Sequence, residues 1–163
     1  MMFCLDYIEN ERTIILAVVS AKNDYANQII LKKCREVDPN GSRTLGIITK
    51  PDFLIAGSHN EKDWIDLALN RDIYFELGWH MVKNRAAADN GSFKDRNSSE
   101  AEFFSRGAYE EKLSKDVAGI DSLRGRLSRL LNNHLKKELP GLRHELEHKL
   151  REATADLEKL GAK

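Results

Sequence analysis

The sequence is short of cysteine, shows no excess charge of either sign and contains no long apolar run. Its two cysteines, Cys4 and Cys34, form no CxxC pair and have no histidine at metal-ligand spacing. Both are expected to be reduced thiols in a reducing compartment. Lys plus Arg number 26, and so do Asp plus Glu. Zero net charge removes the electrostatic case for nucleic-acid binding, and no nucleic-acid partner is expected. No window approaches the ~18 continuous apolar residues of a membrane span. The opening MMFCLDYIEN lacks a basic start and is interrupted by Asp6 and Glu9, so it does not read as a signal peptide. A cytoplasmic address is expected. The sequence also contains no GxSxG, no GxGxxG and no GxxxxGK followed by Ser or Thr, which leaves it without a nucleophile elbow or a phosphate-binding loop.

What is present is a soluble globular composition, with 41% hydrophobic and 32% charged residues in 163. That length holds one domain and a short extension. The run TIILAVV, residues 13–19, is β-branched and uncharged, as expected of a strand covered on both faces of a parallel sheet. Asp24 offers a helix cap, and Ala26, Ile29, Ile30, Cys34 and Val37 then fall on one helical face. Turn chemistry at DPNG, residues 38–41, precedes a second strand, TLGIIT, residues 44–49. Residues 61–70 read as a helix with Trp64, Leu67 and Ala68 inward, and residues 74–82 as a third strand. Strand, helix, strand, helix, strand predicts an α/β fold on about three mostly parallel strands. Residues 84–99 read as a polar surface loop, and residues 100–160 as helix almost throughout. From Leu123 the apolar positions are 127, 130, 131, 135 and 139, and from Leu142 onward they are spaced by three and four to the end of the chain, a seam for another helix. Pro140 is expected to kink or break that rod.

Three patterns could carry chemistry. The second strand ends in Thr49-Lys50-Pro51-Asp52. A carboxylate there can accept from the N1–H and N2–H₂ edge of guanine, whereas adenine would leave it unpaired. The Lys50 stem can lie along the base, and Pro51 is expected to hold Lys50 extended. The alternative is a plain loop with a capping Asp. Asn84 and Arg85 follow the third strand and can supply an amide and a planar guanidinium as the second wall of a base pocket; the alternative is an ordinary polar loop. His144-Glu145-Leu146-Glu147-His148 matches the zinc-hydrolase HExxH, but it sits on a highly charged helix without a third ligand and reads as solvated helix surface.

The run TIILAVVSAKNDYANQIILKKCREVDPNGSRTLGIITKPDFL, residues 13–54, resembles the dynamin superfamily GTPase domain, leaning toward its Mx-like and fungal dynamin-like branch. The likeness continues through ELGWHMVKNR and FFSRGAYEEKL into LSRLLNNHLKKELPGLRHELEHKL, which is similar to the helix leaving that domain and kinking at a proline. The resemblance implies a partial P-loop-type GTPase domain over residues 1–138 and the start of a bundle signalling element over residues 139–163, followed in the parent by stalk helices. It implies GTP or GDP as ligand, with Thr49, Lys50 and Asp52 as the TKxD guanine motif and Asn84 and Arg85 closing over base and ribose. Where the family often carries a Gln shortly after, this chain has Ala86, Ala87 and Ala88.

The family's P-loop, switch Thr and DxxG lie upstream of the strand that starts here at Thr13. The ligands of the family's Mg²⁺ are therefore absent from this sequence, no catalytic residue is expected, and the chain alone is expected to be inactive. Through such a parent, the implied roles are GTP hydrolysis for membrane remodelling or assembly, self-association, and membrane or cytoskeletal partners. The alternative is a non-catalytic helical protein-interaction module.

Overall fold

The computed structural model describes the backbone of residues 2–25, 28–84 and 93–161, and side chains from Asp6 onward within them, except at residues 93 and 94. Three strands follow from the three apolar runs: β1 (Ile15–Ser20), β2 (Thr44–Thr49) and β3 (Trp79–Val82), parallel and in that spatial order. The α/β reading with a parallel sheet holds. Helices α1 (Met2–Glu9), α2 (Ile29–Val37), α3 (His59–Ala68), α4 (Phe93–Phe104), α5 (Gly107–Lys112) and α6 (Ile120–Lys159) and a 3-10 turn at Pro51–Phe53 complete the described elements. The chain divides into two compact units, Met1–Gly125 and Arg126–Lys163.

The core of the first unit forms where the sheet meets α2 and α3. Every residue of β2 except Thr49 is buried, as its uncharged run predicts. Trp64, Leu67 and Ala68 of α3 are buried, and so are Leu31 and Cys34 of α2. Gly46 of β2 lies beneath the Trp79 indole, where a Cβ would come within 2.2 Å of the ring. The indole N–H donates to the Ile73 carbonyl at 2.7 Å, and Phe75 stacks on the ring at 5.2 Å.

Several expectations give way. β1 is buried on one face only: Ile15, Ala17 and Val19 are inside while Leu16 and Val18 are exposed. It is an edge strand that meets α2, and among the described residues its other face stays largely exposed. α2 starts at Ile29 with Gln28 at its cap position, so Asp24 does not cap it, and Ile29 is exposed. Ala26, also assigned to that face, lies outside the described residues. β3 is shorter than residues 74–82 because Ile73 and Phe75 belong to a loop clipped by Asn70, whose amide donates to the Phe75 carbonyl and accepts from its N–H.

The polar stretch expected as loop contains the start of α4, and the stretch from 100, expected as helix almost throughout, is interrupted at residues 105–106 and 113–119. The second of these segments pairs with β3: Met81 N–H donates to the Val117 carbonyl and Gly119 N–H to the Met81 carbonyl, at 2.8 and 2.9 Å. Backbone groups on that side of β3 need partners, and this segment provides them. α6 is not broken at Pro140. Proline there removes one backbone hydrogen bond, and several helical turns on each side hold the helix through the gap.

Candidate functional site

Parallel strands put all their carboxyl ends on one edge, the usual position of ligand sites in open α/β sheets. Here Ser20, Thr49 and Val82 are matched in register across β1, β2 and β3. Neighbouring strands lie roughly 4.8 Å apart. The loops bearing Lys50 and Asp52 on one side and Asn84 on the other therefore leave the sheet as immediate neighbours.

Thr49 is half-buried and anchors its loop. Its hydroxyl donates to the Val19 carbonyl at 2.9 Å, and its own carbonyl accepts from Ala21 N–H at 2.9 Å. The chain then turns sharply. Lys50 is left-handed, with φ 60° and ψ 44°, rather than extended. Proline at the next position disfavours the right-handed helical region, and the left-handed one meets that restriction while reversing the chain. For a residue with a Cβ this conformation costs about 1–2 kcal/mol. The 3-10 turn Pro51–Phe53 follows, with Pro51 buried and closed by Phe53 N–H donating to the Lys50 carbonyl at 3.2 Å. The result is a short, pinned turn that leaves both the Lys50 ammonium and the Asp52 carboxylate exposed.

Asn84 is exposed two residues beyond β3. Arg85 lies outside the described residues, as do Ala86, Ala87 and Ala88. The position before Asn84 is firmly held. Lys83 N–H donates to Glu100 Oε1 at 2.8 Å, and Lys83 Nζ donates to Ser99 Oγ at 2.9 Å.

Two neighbours of the turn escaped the sequence reading. Lys22, just past the end of β1, places its Nζ 3.9 Å from the centre of the Phe53 ring, beside Asp52. Only the parallel register, which puts the ends of β1 and β2 side by side, reveals that pair. Tyr109 of α5 is the second. Burial pushes its hydroxyl well above the usual phenol range, and the Glu61 and Asp52 carboxylates add to the shift.

Among the described residues no three His, Cys, Asp or Glu side chains gather as a metal site. The HExxH histidines lie exposed on α6, and His148 Nδ1 is 3.2 Å from Glu152 on the same helix. Cys34 is a free, buried thiol pushed up to about 11 by burial, with the Asp38 charge adding and Arg43 opposing. It is protonated at neutral pH and unsuited to nucleophilic chemistry. The side chain of Cys4 lies outside the described residues. No described helix is long and apolar enough to cross a membrane.

Residues 2–51 match the dynamin family and residues 63–163 the dynamin central region. The sequence is 36% identical over 159 residues to the interferon-induced GTP-binding protein Mx1 of Oncorhynchus mykiss, which covers 95% of this chain and 25% of the relative. The Mx protein of Larimichthys crocea is 35% identical over the same length and shares, and that of Ctenopharyngodon idella 37% over 160 residues, 96% of this chain and 25% of the relative. The chain thus spans about a quarter of the length of these relatives.

Proposed function

The chain belongs to the dynamin family, and from that premise we propose that loop 49–52 recognises the guanine base of GTP or GDP. The observation that carries the reading is the exposed Asp52 carboxylate on a turn pinned by Thr49 and bent at Lys50, at the carboxyl edge of a parallel sheet. A carboxylate so held accepts from both N1–H and N2–H₂ of guanine. Adenine offers an acceptor at N1 and no amine at C2, so its binding would leave the carboxylate unpaired. Lys50 lies along the base plane with its ammonium hydrated. By the family resemblance, Asn84 and Arg85 would supply the facing wall. The Mx relatives are named GTP-binding proteins, and this reading extends that property to the present chain.

Binding without turnover is expected of these 163 residues. Phosphoryl transfer depends on positioning and on stabilising charge at the phosphates. Base contacts hold substrate and transition state equally and leave the barrier unchanged. In a longer parent protein the same site would serve GTP hydrolysis for assembly or membrane remodelling, in the cytoplasm or peripheral to membranes. Residues 139–163 would begin the bundle signalling element, with self-association or stalk helices as partners. The exposed Leu142, Leu146, Leu150, Leu157 and Leu160 favour this helical interaction role, which is also the function left to the chain if the base site is silent.

Thermal unfolding with added nucleotide tests the proposal. A ligand that binds only the folded state stabilises it by RT ln(1 + [L]/Kd), so GDP and GTP should raise Tm and ADP and ATP should not. Equal shifts with guanine and adenine nucleotides, or none with either, would remove base recognition.

A further inference from the structure

Glu100 is a buried carboxylate, 3% exposed, that serves no ligand in the reading above. Its two oxygens accept from two separate elements. Oε1 takes Lys83 N–H at 2.8 Å, and Oε2 takes Ile120 N–H at 2.8 Å. Lys83 immediately precedes Asn84 of the candidate base pocket, and Ile120 is the first residue of α6. The same two places are joined along a second route. Gly119 N–H donates to the Met81 carbonyl at 2.9 Å, and the Gly119 carbonyl is 2.8 Å from His80 Nε2.

We propose that Glu100 is a positioning residue that holds the backbone at Lys83, next to Asn84, and the first turn of α6 in one arrangement, so that guanine binding at one is linked to order at the other. The chemistry of the side chain supports this. A carboxylate accepts at both oxygens and donates at neither, so it satisfies two N–H groups at once. One of these is an unpaired donor of the first turn of a helix, where a negative charge is also favoured by the helix dipole. If either N–H withdraws, the buried oxygen facing it loses its partner, and the free energy of that loss acts on the other contact. The link to nucleotide rests on the guanine-site reading; the link between Lys83 and Ile120 does not.

Amide hydrogen exchange on the full chain tests both. Ile120→Pro deletes the N–H that Glu100 Oε2 accepts, at the first helical position, where proline is well tolerated. Ile120→Val keeps the N–H and serves as control. Lys83 should exchange about tenfold or more faster in Ile120→Pro than in Ile120→Val, with protection of the β2 amides unchanged. Unchanged exchange at Lys83, or uniform loss of protection through β1, β2 and β3, would overturn the linkage and leave Glu100 a merely structural residue. With GDP added, protection at residues 120–123 should rise in Ile120→Val and stay flat in Glu100→Gln, whose amide presents a donor to one of the two N–H groups. A GDP-dependent Tm shift without any change at residues 120–123 defeats the linkage to nucleotide alone. Absence of any Tm shift defeats the guanine-site reading, while the Lys83 comparison still decides the positioning role.

Discussion

The Thr44 hydroxyl donates to the buried Asp38 carboxylate at 2.6 Å, joining the end of α2 to the first residue of β2. The same carboxylate accepts from Ser42 N–H and hydroxyl and from Arg43 N–H, at 3.0–3.1 Å. Arg43 in turn donates to the carbonyls of Ile8, Thr13 and Val37. This knot sets where β2 begins, and so where Thr49 and its loop end.

Asp38→Ala leaves four donors without their acceptor and is expected to destabilise the chain by roughly 2–4 kcal/mol, read by urea unfolding. Burial by itself raises the Asp38 carboxyl, but the bonds from Thr44, Arg43 and Ser42 outweigh it and hold the group below the usual carboxylate range. A folded value below the unfolded one means that the contribution is complete above the unfolded value of about 3.9. It is lost as pH falls from there through the depressed folded value. Asp38→Ala should therefore flatten the acid limb of the stability curve; an acid limb parallel to that of the unaltered chain would show that Asp38 does not contribute to it.

Gly46→Ala places a methyl group 2.2 Å from the Trp79 ring in a filled core. Overpacking of this kind is expected to cost about 1–3 kcal/mol. Trp79→Leu should be destabilising alone yet should couple favourably with Gly46→Ala in a double-mutant cycle, because the smaller side chain makes room for the methyl group. Strict additivity would mean that the strain is relieved elsewhere.

Asp52→Asn replaces an acceptor by an NH₂ that opposes the guanine amine, whereas xanthine carries an oxygen there. GDP affinity is expected to fall by roughly a hundredfold or more. Xanthosine diphosphate should instead bind better than it does to the unaltered chain. Calorimetric titration of both nucleotides checks the exchange, and GDP binding that survives intact would take Asp52 out of the pocket.

A peptide of residues 140–163 carries the exposed Leu142, Leu146, Leu150, Leu157 and Leu160 on one seam. Isolated helices are marginal in water. Circular dichroism should show little helix when the peptide is dilute and more as it is concentrated. High helicity at every concentration would indicate a helix that needs no partner face.

Residue pattern alone determined the parallel sheet. β2 was legible to the residue because an uncharged, β-branched run between a DPNG turn and a proline has few other ways to fold. The TKPD motif and Asn84 were legible as residue types whose chemistry suits a base. Their neighbourhood was not. That Thr49 stands beside Val82, that Lys22 sits over Phe53, and that Glu100 joins Lys83 to Ile120 are decided by strand register and by contacts between residues distant in the chain. The left-handed Lys50 needed the sheet and the 3-10 turn to select between two conformations that the following proline permits. α4 was hidden because its residues carry no clear apolar period, and tertiary packing overrides so weak a local preference. The exposed face of β1 shows the same limit from the other side. A β-branched run states that both faces want cover, and only the assembled layers decide which face receives it.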